Sequence, residues 1–89
     1  MNNADKKRLK AQAHALKPVI MIGHAGLTPA VLAEIERTLD HHELIKIKIR
    51  VERDDRVVIS NQICADTKAE LLQKIGQIIV IYRKNPQLN

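Results

Sequence analysis

PVIMIGHAGLTPAVLAEIERTLDHHELIKIKIR, residues 18–50, decides the fold. Its last part, ELIKIKIR (43–50), is the clearest strand in the chain and alternates from Ile45 onward. Ile45, Ile47 and Ile49 share one face and Lys46, Lys48 and Arg50 the other, the pattern of a strand with one buried side. Its first part, PVIMI (18–22), is apolar on both faces and reads as a central strand. Between them Thr28 suits an N-cap and Pro29 a first helical position. Val31, Leu32, Ile35 and Leu39 give that helix one apolar face through about His41, with Glu36, Arg37 and Asp40 opposite. Strand, helix and strand in so short a span make a βαβ unit, with parallel strands and a right-handed crossover.

Upstream, a first helix is predicted over Ala4 to Ala15, with Leu9, Ala13 and Leu16 facing inward. Lys6, Lys10, His14 and Lys17 follow one another along an arc of the same helix, and Pro18 forbids its continuation. Downstream, Asp54 or Asp55 can cap a third helix through about Asp66, with Ile59 and Ile63 inward. Residues 68–75 are open to two readings. Thr67-Lys68-Ala69-Glu70 has the form of a capping box, which favours a helix. Gly76-Gln77 has the form of a two-residue hairpin loop, which favours a strand leading into IIVIYR, residues 78–83. The end of the chain, 85–89, reads as a frayed tail.

The 89 residues are expected to form a single domain. Apolar residues make up 45% of the chain, enough for a core and too many for disorder. No apolar run is long enough to span a bilayer, and no signal peptide is visible, so a cytoplasmic protein is expected. The single Cys64 excludes an internal disulfide and fits a reducing compartment. A net charge of +5 points to an anionic partner. Residues 1–17 carry Lys6, Lys7, Arg8, Lys10 and Lys17 against Asp5, whereas 28–43 carry Arg37 against Glu34, Glu36, Asp40 and Glu43. Segregated charge of this kind orients a domain on a polyanion. Tyr82 is the sole residue among Phe, Trp and Tyr, so no platform of aromatic rings can stack bases.

GHAG, residues 23–26, joins the end of a predicted parallel strand to a helix N-terminus. It reads either as a tight turn or as an anion site where a ligand approaches backbone N–H groups. It lacks the remaining residues of a dinucleotide fingerprint or a P-loop. His24 has no Ser, Cys or carboxylate beside it in sequence to complete a catalytic set, so it reads as an exposed hydrogen-bonding group. His41 and His42 sit at a helix end and do not form a metal site, Cys64 packs, and Met21 and Tyr82 read as strand packing residues. No catalytic residue, metal or cofactor is expected.

The motifs A-H-x-L-x-P (13–18), I-G-x-x-G-L-T (22–28) and H-E-L-I-K (42–46), together with the terminal IGQIIVIYR, resemble the CRM domain (chloroplast RNA splicing and ribosome maturation), in its free-standing, YhbY-like bacterial form. The resemblance implies an α/β domain, an α+β sandwich of order α-β-α-β-α-β-β. Its four-stranded mixed sheet and three helices are similar to the C-terminal domain of translation initiation factor 3. It thereby makes residues 70–75 a strand. It also implies a non-enzymatic RNA-binding protein associated with precursors of the large ribosomal subunit, with the GxxG loop comparable to that of KH domains. The expected RNA-contacting set is Gly23, His24, Ala25 and Gly26, with Lys17, Lys6, Lys7 and Lys10. A second set is Lys46, Lys48, Arg50 and Arg83. With His24 and Ala25 between the glycines, the loop holds RNA by its backbone and the charge comes from its neighbours. The protein is expected to be a monomer without membrane or small-molecule partners. A module that docks an acidic protein on its basic face is the alternative.

Overall fold

The computed structural model describes residues 1–88. The βαβ unit consists of β1 (Pro18–Ile22), α2 (Pro29–His42) and β2 (Leu44–Ile49), with the two strands parallel. Helix α1 (Asn3–Ala13) precedes it. Helix α3 (Arg53–Thr67), strands β3 (Glu70–Ile75) and β4 (Ile78–Tyr82) and a 3-10 turn at Pro86–Leu88 follow. The strands form one four-stranded mixed sheet in the order β1-β2-β4-β3, with β4 antiparallel to both neighbours. This is the three-helix α+β arrangement expected from the sequence.

Two apolar clusters fix the layers. Ile45, Ile47 and Ile49 of β2 pack with Ile20, Ile22, Ile79, Ile81, Ile35, Leu39 and Ile63 between the sheet and α2 and α3. Each fully buried side chain of this kind stabilises the fold by about 1.5–3 kcal/mol. On the other face, Leu9 and Ala13 of α1 cover Leu44, Leu72 and Val80, with Tyr82 partly buried beside them. β4 is therefore covered on both faces, Ile79 and Ile81 on one and Val80 on the other.

β1 is an edge strand, not the central strand that its composition predicts. Ile20 and Ile22 enter the larger core, but Val19 and Met21 are 53% and 58% exposed. The cause is the reach of α1, which packs on β2 and β3 and leaves β1 uncovered on that side. Helix α1 also ends earlier than predicted. His14 is its C-cap, so Leu16, 38% exposed, lies beyond the buried stripe, and Lys17 is no longer on the helix.

The capping-box reading of 67–70 fails for a local reason. Thr67 closes α3 instead of opening a new helix: its Oγ1 donates to the Ile63 carbonyl (2.7 Å) and accepts from the Ala69 N–H (3.3 Å). Lys68 then turns the chain in the left-handed region, at φ 60°. The hairpin reading holds, with Ile75 opposite Ile78 and Gly76 at φ +57° in the two-residue loop. α3 begins at Arg53 with Glu52 as N-cap, so Asp54 and Asp55 lie in the first turn, where they favour the helix dipole, and do not cap it. The tail expected to fray is tied down at Asn85, whose N–H donates to Glu43 Oε2 (2.6 Å) and whose side-chain amide donates to the Asp40 carbonyl (2.8 Å). Asn89, the last residue of that expected tail, lies outside the described residues.

Candidate nucleic-acid interface

GHAG follows the last residue of β1. The Gly26 N–H donates to the Gly23 carbonyl (3.0 Å), closing a turn over His24-Ala25, and the Thr28 N–H donates to the Gly26 carbonyl (3.1 Å). The two glycines serve different ends. Gly26 has φ +73°, where a side chain is strained. Gly23 is not in the left-handed region, and a Cβ built on it meets nothing within 4 Å. Neither backbone angle nor internal crowding requires a glycine there; the space above it is open to an outside group.

The helix N-terminus beyond the loop offers less to an anion than the sequence suggests. Thr28 Oγ1 already accepts from the Val31 N–H (3.2 Å), the Leu32 N–H donates to the Thr28 carbonyl (2.9 Å), and Pro29 has no N–H. Among the described residues, the N–H groups of His24 and Ala25 donate to no backbone carbonyl. The loop's capacity for hydrogen bonding an anion therefore lies in the turn itself.

One side of the loop is unsuited to RNA. His24 and Gly26 share a cavity with Glu52, the N-cap of α3, and Asp55 in its first turn, and two carboxylates there repel phosphate. The other side is basic. Lys48 lies opposite Met21 across the β1–β2 ladder. The Arg50 N–H extends that ladder to the Ile22 carbonyl (2.7 Å), and its Nη1 rests 3.9 Å from Met21 Sδ. Lys46 shares the α1-side face with Lys48, and its Nζ donates to the Leu16 carbonyl (3.1 Å). Lys48 and Arg50 thus stand beside the last residues of β1, where the loop begins, a place the sequence assigns to the cations of the first helix. Lys6 and Lys10 flank α1 half-exposed on the same side of the sheet, and Lys7 is exposed.

Two expected contacts lie elsewhere. Lys17 precedes β1 and GHAG follows it, which separates them by roughly 20 Å of extended chain. Arg83, past the far end of β4, is a structural residue. Its side chain is 21% exposed and forms ion pairs with Glu36 and Asp40, both at 2.9 Å, and a 2.8 Å hydrogen bond to the Thr67 carbonyl. Its charge is spent joining α2, α3 and β4, so it is withdrawn from the candidate interface.

The sequence reading also misses an open half of the sheet. Past the end of α1, Met21 (58% exposed) and Ile75 (54%) lie uncovered on the α1-side face with Lys48, next to a groove lined by His14, Lys46, Gln73 and Ile78. Met21 is therefore a surface residue, whereas Tyr82 packs as predicted. Alternation in β1 is the one signal that could reveal this, and it speaks only if β1 is known to be an edge. Among the described residues no group of three His, Cys, Asp or Glu side chains could hold a metal. Cys64 lies against the larger core, and burial pushes its thiol pKa up, which makes it a poor nucleophile.

The family model for the CRS1 / YhbY (CRM) domain matches residues 1–83. A Pseudomonas aeruginosa protein named a probable RNA-binding protein is 46% identical over 90 residues, covering 100% of this chain and 86% of that one. A Haemophilus influenzae protein named an RNA-binding protein is 47% identical over 88 residues, covering 98% and 89%. The solution structure of a Staphylococcus aureus protein superposes with a TM-score of 0.84 at 31% identity, covering 100% of this chain and 94% of the other. With the helix order, the mixed sheet and the GHAG loop at the end of β1, these matches place the chain in the CRS1 / YhbY (CRM) domain family.

Proposed function

We propose that the chain is a non-enzymatic RNA-binding protein that holds structured ribosomal RNA and assists assembly of the large ribosomal subunit, acting as a cytoplasmic monomer. The observation that carries the RNA part is the gathering of cations on the α1 face of the sheet, set against an acidic α2. α1 with Lys6, Lys7 and Lys10, and β2 with Lys46 and Lys48, lie on one side, while α2 with Glu34, Glu36 and Asp40 lies on the other. The names of its relatives support the same partner, and the ribosomal assignment rests on the family resemblance. In this reading a phosphate sits against the N–H groups of His24 and Ala25, reached over the open space at Gly23. Lys48 and Arg50 hold the adjoining phosphates, and Lys46, Lys6 and Lys10 extend the track. Tyr82 is partly buried against the smaller core and has no second Phe, Trp or Tyr beside it, so recognition runs through phosphate, sugar and shape, not a platform of stacked bases.

The test is binding of a labelled large-subunit RNA fragment as a function of salt. Lys46→Gln/Lys48→Gln should lower the log–log slope by roughly 1.4–1.8, about 0.7–0.9 for each phosphate that is no longer neutralised. A flat salt response in the wild type would remove the phosphate-based mechanism. In cell extract, co-sedimentation with ribosomal particles should be lost after nuclease treatment; persistence would instead favour an acidic protein as the partner.

A further inference from the structure

The first turns of α3 sort their charges by face. Glu52 and Asp55 turn toward His24 and Gly26. Arg53 and Arg56 turn the other way, because residues three apart share a helix face. With Val57 they line a separate cleft of about 410 Å³, completed by Lys74, Gly76 and Ile79 of the β3–β4 hairpin. This lining contains three cations and no carboxylate. Lys74 pairs with Ile79, whose side chain is in the larger core, so Lys74 points to the α2 and α3 side of the sheet.

Arg56 is the informative residue. It is half-buried, its Nη1 donates to the Val51 carbonyl (2.7 Å), and among the described residues it forms no ion pair. Arg53 and Lys74 form none either. Arg83, a comparably sheltered arginine, has two carboxylates within 2.9 Å. A partly desolvated guanidinium held in place without a counter-charge, beside two free cations, favours an incoming anion. Gly76 adds a stretch of wall with no side chain, and nothing lies within 4 Å of where its Cβ would be.

We propose that this cleft is a second phosphodiester-binding site, which holds an RNA strand on the side of the sheet opposite α1. It rests on the RNA-binding reading and extends it. The hairpin tip, Gly76-Gln77, stands between the two basic surfaces: Ile78 belongs to the face of Lys48, and Lys74 and Ile79 to the face of the cleft. The protein thus straddles a folded RNA with the hairpin between two of its strands.

The experiment uses the full chain and one fluorescent RNA stem-loop of fixed sequence, with anisotropy read over a salt series. Both target residues are exposed, and thermal unfolding checks that each variant is folded. Arg53→Gln/Lys74→Gln should lower the salt slope by roughly 1.4–1.8 and weaken binding roughly 25- to 60-fold at 0.1 M salt. Arg53→Lys/Lys74→Arg should retain most of the affinity, because charge at the cleft is what acts. If the wild type binds and Lys46→Gln/Lys48→Gln weakens it, but Arg53→Gln/Lys74→Gln matches the wild type, the cleft is no phosphate site and the primary interface stands. If the wild type does not bind RNA at all, both readings fall together.

Discussion

Gly23→Ala separates what the GHAG loop needs in order to fold from what it needs in order to bind. The added methyl meets no atom within 4 Å, and the residue is outside the left-handed region, so no strain opposes it. Replacing glycine at such a position stabilises a protein by about 0.4–1 kcal/mol, by restricting the unfolded chain. In a domain of this size that corresponds to a rise in Tm of roughly 2–8 °C. The same methyl occupies the open space through which a phosphate reaches the turn. Loss of one hydrogen bond to a charged group is worth about 1.5–3 kcal/mol, which weakens RNA binding roughly 10- to 150-fold. Gly26→Ala should behave oppositely in the first assay: at φ +73° the side chain costs about 1–2 kcal/mol, and Tm falls. Calorimetry and anisotropy on the two variants decide the matter. Unchanged RNA affinity in a folded Gly23→Ala protein would show that nothing approaches the loop backbone there. A lowered Tm in that variant would refute the open geometry itself.

Arg83→Gln should leave the salt dependence of RNA binding unchanged while lowering stability by about 1–2 kcal/mol. This is the value of its charged hydrogen bonds discounted for the exposure of its carboxylate partners; a reduced salt slope with full stability would return Arg83 to the interface. Ile47→Ala removes a side chain that is 0% exposed at the centre of the sheet and should cost about 2–5 kcal/mol in urea unfolding. A cost below about 1 kcal/mol would contradict the packing of β2 against α2. Thr67→Val keeps the shape at the end of α3 but leaves the buried Ala69 N–H without its acceptor, with an expected loss of about 1–3 kcal/mol. A neutral result would show that Thr67 does not control the turn from α3 into β3.

Alternation in ELIKIKIR made both the buried isoleucine face and the lysine face legible, because a strand's period of two allows no other arrangement. Thr28 and Pro29 marked the start of α2 because their chemistry is local. Thr67 misled for the same reason: its hydroxyl can serve a helix behind it or ahead of it, and only the chain direction after Lys68 decides which. GHAG was legible as a special joint, yet the separate reasons for its two glycines were not, since one is a backbone angle and the other is empty space.

The sequence by itself determined the βαβ unit, the identity of the isoleucine core and the separation of basic from acidic segments, because these follow from periodicity and composition along the chain, while it left residues 68–75 open between helix and strand. Tertiary structure alone decided which cations act together. Lys17 lies six residues before GHAG yet at the opposite end of β1, whereas Lys48 and Arg50, more than twenty residues away, come beside the loop through the parallel pairing of β1 with β2. Arg83 reads in sequence like any surface cation, and only the approach of α2 and α3 to the end of β4 pairs its charge. Arg53, Arg56 and Lys74 converge because a helix face and a hairpin meet. Charge is a property of residues, but an electrostatic surface is a property of distances, and distances between elements are set by how the sheet packs.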